Sequence, residues 1–152
     1  MAGVQIHVNS GEVTLAAATA KTVLQIKSPA QQRLIVKNIV ITGKSPAGGV
    51  DTPVKVRLTR SSASFGTGTA GTPSKNDPSD SETIQSTAFV NFTVEPTTPT
   101  DGGVMWEVQP QSGVMWQSPF GQEYKIPGGQ SLQIEMTSVA TPTLVAEFDY
   151  EE

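Results

Sequence analysis

Three carboxylates at alternate positions, Glu147, Asp149 and Glu151 in the segment EFDYE, are the sharpest chemistry in this sequence. Successive side chains on a β-strand point to opposite faces, so the three would share one face. Two such groups could supply the nucleophile and the acid/base of retaining glycoside hydrolysis. Only Glu152 follows the motif. A solvated outer face on a last strand, charged so as to discourage edge pairing, accounts for the same pattern and is the expectation adopted. No catalytic residue is therefore assigned.

The remaining candidates are of four kinds. Trp106 and Trp116 could stack on sugar rings, but alternation places Trp106 with Val104 and Val108 on a core face, leaving Trp116 the freer of the two. Asn76, Asp77, Asp80 and Glu82 bring oxygen ligands together in a loop, without the spacing or the glycine of an EF-hand. His7 is the single imidazole, with no carboxylate near it in sequence. There is no Gly-x-Ser-x-Gly elbow and no phosphate-binding loop ending in Lys-Ser/Thr. Cysteine is absent, which excludes disulfides, iron–sulfur clusters and thiolate-bound zinc. No cofactor and no metal are expected.

The elements that would position these residues are strands. The chain holds 42 Val, Ile and Thr against six Leu, with 14 Gly and 11 Pro between them. β-Branched side chains are stiff at χ1 and pack well on a pleated surface. Period-two alternation recurs at Val4/Ile6/Val8, Thr22/Leu24/Ile26, Val54/Val56/Leu58, Leu132/Ile134/Met136 and Leu144/Ala146/Phe148, each reading as a half-buried strand with one wet face. The segment 33–43 is largely apolar on both faces and reads as a strand that is central or covered on both sides, with a bulge near Lys37–Asn38. Pro46–Gly49, Asp101–Gly103 and Pro127–Gly129 read as turns. Gly103-Val-Met-Trp106 returns as Gly113-Val-Met-Trp116, which reads as a hairpin turning at 110–113. About eight to ten strands and no helix imply an antiparallel β-sandwich, and the uneven spacing suits a jelly roll.

At 152 residues the chain is one domain, 1–152. Residues 61–85 form a long polar excursion, expected to be either held by a neighbouring subunit or packed as a surface loop with a weak edge strand. Met1–Gly11 is a candidate N-terminal arm. The net charge of −4 and ten scattered basic residues argue against nucleic acid; Lys55, Arg57 and Arg60, the densest group, read as a solvated strand face. No stretch reaches the ~18–20 apolar residues of a membrane span, so no membrane partner is expected. The start, MAGVQIHVNSGEV, has no signal-peptide pattern, and synthesis in a host cytoplasm is expected.

Across most of its length the chain resembles the small jelly-roll proteins encoded among the head genes of tailed bacteriophages, the capsid decoration or cement (head auxiliary) proteins. The similarity is one of pattern, carried by LQIKSP at 24–29, the β-rich 33–42, PVKVRLTR at 53–60, VEPT at 94–97, IPGGQSLQIEM at 126–136 and VAEFDYEE at 145–152. It implies a non-enzymatic homotrimer on the outer capsid surface of the virion, with the major capsid protein as partner, stabilising the shell by bridging its subunits. The interface residues expected from strand faces opposing the core are Phe65, Phe92, Met105, Trp116 and Phe120. EFDYE separately resembles the acidic strand of a β-sandwich glycosidase family related to laminarinases, over five residues. The alternative reading is a carbohydrate- or receptor-binding module, lectin-like or a tail-fibre head, with Trp116 as its platform.

Overall fold

A computed structural model describes residues 3–46, 48–97 and 99–152. They form thirteen strands and no helix. Sheet A contains β1 (Gln5–Asn9), β2 (Val13–Thr14), β4 (Leu34–Lys44), β7 (Ser74–Lys75), β10 (Val114–Gln117), β11 (Tyr124–Ile126) and β13 (Thr143–Glu151). Sheet B contains β3 (Lys21–Lys27), β5 (Val54–Ser61), β6 (Thr67–Ala70), β8 (Thr87–Val94), β9 (Thr100–Val108) and β12 (Ser131–Ser138). All pairings are antiparallel.

The strand order is that of a jelly roll. Sheet A runs β10-β4-β13-β1-β7 and sheet B runs β6-β8-β3-β12-β5-β9. Eight strands make the frame: the row β1-β13-β4-β10 faces the row β3-β12-β5-β9. Taken in chain order, every step between these eight changes sheet except β5 to β9. That arrangement is two interlocked Greek keys. The alternating runs supply the core, because Ile6, Val8, Leu24, Ile26, Val56, Leu58, Leu132, Ile134, Ala146 and Phe148 all point inward and are buried.

β4 carries the expected bulge. Asp149 pairs with Asn38 and Tyr150 with Val36, so Lys37 is the extra residue. The bulge moves the buried set from Leu34 and Val36 to Ile39 and Ile41, which reconciles two apolar runs that are out of phase. Asp101–Gly103 is a second bulge rather than a turn. These residues lie within β9, where the register against β5 shifts and Gly103 takes φ +85°.

The repeat GVMW is not a hairpin. Its turn exists, with Gly113 N–H donating to the Gln109 carbonyl at 2.9 Å, but β9 pairs with β5 and β10 with β4, in different sheets. The connection crosses from the edge of one sheet to the edge of the other. Both copies turn Val and Trp toward the core and Met outward.

Residues 3–11 are not a free arm. β1 is hydrogen-bonded between β13 and β7, and Val4, Ile6 and Val8 are buried. The excursion 61–85 is held by its own chain. β6 pairs with β8 and extends sheet B; β7 pairs with β1 and extends sheet A. Asn76 N–H donates to the Gln5 carbonyl at 2.9 Å, and Glu152 accepts from the Gln85 and Ser86 amides at 2.9 and 3.0 Å. The excursion is thus an insertion between β5 and β9 that covers the β1 and β8 edges.

Its first segment crosses the outer face of sheet B, and this corrects the wet faces expected of β3 and β12. Gln25 and Gln133 are fully buried there. Gln25 Nε2 donates to the Phe65 carbonyl and to Gln133 Oε1, both at 3.2 Å, and Gln133 Nε2 donates to Ser61 Oγ at 2.8 Å. Amides can be buried when their donors are satisfied.

The crossing needs a glycine. Gly66 has φ +72°, and a Cβ there would sit 2.5 Å from the Val94 carbonyl oxygen and 2.8 Å from the Pro96 nitrogen. Gly66→Ala is expected to lower unfolding free energy by about 2–4 kcal/mol, combining left-handed strain with a backbone clash. Gly121→Ala has a similar φ of +83° with open space around it, and should lose only about 1 kcal/mol. Urea unfolding of the two variants separates the terms; equal losses would show that the clash contributes nothing.

Candidate functional site

The outer face of sheet A collects most of the chain's chemistry. β13 lies between β4 and β1, so its outward carboxylates sit on an open sheet face with neighbours on both sides. One row crosses the whole sheet by direct register: Gln117 opposite Asn38, Asn38 opposite Asp149, Asp149 opposite His7, and His7 opposite Ser74. Asp149 holds the middle of it. Its Oδ1 is 2.8 Å from His7 Nδ1, and its Oδ2 accepts from Asn38 Nδ2 at 3.3 Å.

A second group lies beside the row. Lys37, turned out by the bulge, is 3.1 Å from Glu151 Oε2 and 3.8 Å from Glu123 Oε1. The Gly3 amide donates to Glu151 Oε1 at 3.1 Å. That amide, together with Lys37, holds the Glu151 carboxyl below the usual carboxylate range. Glu123 is lowered as well, by its own backbone amide and that of Gly121, with Lys37 adding to the effect. A glycosidase acid requires the opposite shift, a raised pKa that keeps its proton near neutral pH. Glu151 is therefore unsuited to that role. The carboxylates Glu147, Asp149 and Glu151 do share one outer face, as the alternation required.

Lys37, Gln117, Ser118, Pro119, Phe120 and Glu123 line a depression of about 440 Å³ at the Gln117 end of the row. Phe120 is 100% exposed at its lip.

The open side of the sandwich, where β9 and β10 are the edge strands, is closed by aromatic rings. Trp106 and Trp116 have centroids 6.2 Å apart across the two sheets, and Trp116 lies 5.3 Å from Tyr124. Arg60 covers the next position, 5.8 Å from the Tyr124 ring centroid, and its Nη1 donates to the Lys125 carbonyl at 3.2 Å. Such tilted pairs add to simple area burial. Arg60 thus faces away from Lys55 and Arg57, so the three basic residues do not form one face. Arg57 instead pairs with Glu135 at 3.2 Å.

The five expected interface residues separate accordingly. Met105 is 64% exposed and Phe120 wholly so. Trp116 is half-buried with neighbouring rings at Trp106 and Tyr124, so it offers no open stacking platform. Phe65 is half-buried beneath Lys27, whose Nζ is 4.0 Å from the ring centroid. Phe92, at 4% exposure, packs against Gly68 of the neighbouring strand and is unavailable as a contact. The acidic loop closes on itself: Asp77 Oδ1 accepts from the Ser79 amide and hydroxyl at 2.9 and 2.6 Å, and Asp80 Oδ1 from the Glu82 amide at 2.9 Å. Among the described residues no group of three His, Asp or Glu is placed to hold a metal ion.

Sequence reasoning named His7 without its carboxylate partner, and missed Asn38 and Gln117. The partners His7 and Asp149 are 142 positions apart, and nothing local marks the pair. Only the bulge at Lys37–Asn38 gave any hint, since a bulge re-aims side chains on a sheet face.

No protein-family model matches the chain, and no curated protein matches it. A solved structure described as that of infectious bursal disease virus Gx strain shares 13% identity over 99% of this chain, which spans 40% of that chain's length, with a TM-score of 0.15. A likeness that slight carries no argument about fold or function.

Proposed function

We propose that the protein is a non-enzymatic structural protein that decorates and stabilises a phage capsid as a homotrimer, bridging subunits of the major capsid protein on the outer surface of the virion. The observation that carries this reading is an apolar loop end on a jelly-roll frame. Val50 is 84% and Val139 75% exposed, in the β4–β5 and β12–β13 loops. Val139 adjoins Ala18 and Pro53 around a shallow hollow, and Ala16 and Ala17 are exposed beside Ala18. Exposed apolar groups gathered at one end of a domain favour a protein contact there. This end would seat on the shell. Met105, outward on the edge strand β9, would serve contacts between copies.

Light scattering is expected to give a native mass of about three times 16.0 kDa, and Met105→Glu should return it to the monomer. A monomeric wild-type chain would refute the trimer. Capsids carrying the protein should resist thermal or osmotic rupture better than capsids without it. Equal robustness would remove the cement role and leave only the location.

A further inference from the structure

We infer that the polar row on sheet A, together with the depression under Phe120, is a binding site for a neutral glycan chain. The row runs across five strands, at right angles to them, so it spans roughly 19 Å at ordinary strand spacing. That length suits an extended oligosaccharide rather than a single sugar. It also lies on a sheet face, whereas a peptide strand would add to an edge.

The groups offered along the row are donors and acceptors in alternation. Asp149 uses one oxygen on His7 and the other on Asn38, which fixes both side chains. It is a positioning residue in this arrangement. Asn38 Oδ1 remains an acceptor. Among the described residues His7 Nε2 and the Gln117 amide have no protein partner. Hydroxyl groups both donate and accept, so a polyol can satisfy all of these at once.

Gln117 belongs to both the row and the depression, which makes the two continuous. There Phe120 presents a whole ring to solvent, an arrangement with no folding benefit. An apolar sugar face laid against that ring would bury it. Charge selects among ligands. Glu147, Glu151 and Glu123 flank the row with Lys37 among them, so phosphate and sulfate groups are repelled.

The test uses the full chain against immobilised neutral polysaccharides (dextran, mannan, galactan and a soluble β-glucan), with sulfated dextran and an oligolysine peptide alongside. At least one neutral polysaccharide is expected to bind. Phe120→Ala and Gln117→Ala should each weaken it about tenfold or more, with little dependence on salt. Both residues are exposed, so the variants should keep the wild-type unfolding midpoint. Asp149→Ala should weaken binding while Asp149→Asn retains part of it. Retention of none of the four, or equal retention by both exposed-site variants, overturns the proposal. Salt-sensitive binding of oligolysine alone also overturns it, and assigns the face to a basic protein partner. Native mass is unaffected by these outcomes, so failure here is distinct from failure of the trimer reading.

Discussion

Phe148→Ala is expected to destabilise the protein by about 3–5 kcal/mol, more than any surface change in the molecule. Phe148 is 0% exposed at the centre of β13, opposite Val8 on one side and Ile39 on the other. Truncation removes a ring from the inner face where the two sheets meet, and strands locked by hydrogen bonds on both sides cannot collapse to fill the space. For a domain of this size the loss corresponds to a fall of about 6–20 °C in Tm. Phe120→Ala, at a wholly exposed ring, should change stability by no more than about 0.5 kcal/mol. Calorimetry of the two variants measures the contrast. A loss below 1 kcal/mol at Phe148 would mean that the inner face of sheet A is not packed as described.

Raising the pH from 9 to 12 should cost a further 2–3 kcal/mol, roughly, through Tyr150 alone. Its hydroxyl is buried 2.9 Å from Ser86 Oγ. Burial, with a smaller contribution from Glu152, pushes the phenol up from 10.0 to about 12, while the Ser86 hydrogen bond acts the other way. Between those values the unfolded chain ionises and the folded chain keeps its proton. The unfolded state then binds fewer protons, so stability is fully present below pH 10 and falls as the pH rises through about 12. Tyr150→Phe should be less stable by about 1 kcal/mol at pH 8, where it lacks one hydrogen bond, and more stable than wild type near pH 12. Urea midpoints at both pH values test the crossover. Parallel losses in the two proteins would show that groups other than Tyr150 govern alkaline unfolding.

Both predictions fall in EFDYE, the segment that drew attention for its carboxylates. Its structural weight lies in the two residues between them. Phe148 and Tyr150 fill the core, and Glu147, Asp149 and Glu151 face out. That division was readable in advance because a strand has a period of two. The bulge at Lys37 was readable for a related reason: Leu34 and Val36 are out of phase with Ile39 and Ile41, and one extra residue restores a single buried face.

Other features were not readable. Gln25 and Gln133 look like the wet positions of ordinary amphipathic strands. They are buried because a segment far along the chain crosses them, and their amide N–H groups donate to Gln133 Oε1 and to that segment, while Gln25 Oε1 is left without a partner among the described residues. The GVMW repeat has the spacing of a hairpin, yet its two strands are the edges of opposite sheets. A turn determines where the chain reverses; which strand receives it depends on the competing edges. The excursion 61–85 has only Phe65 and Ile84 as large apolar residues, so its own composition did not announce two short strands. Those form because the β1 and β8 edges present unpaired backbone groups that must be met.

What the sequence by itself determined is the β-branched composition, the alternating faces and hence a sandwich with its core positions. These follow from local sterics and side-chain period, which act within a few residues. What only the tertiary structure decided is the surface. The row from Gln117 to Ser74 draws one residue from each of five strands that are dispersed along the chain, and its central contact joins His7 to Asp149. Register between distant strands is set by the summed fit of every neighbouring pair, so no short stretch of sequence contains it.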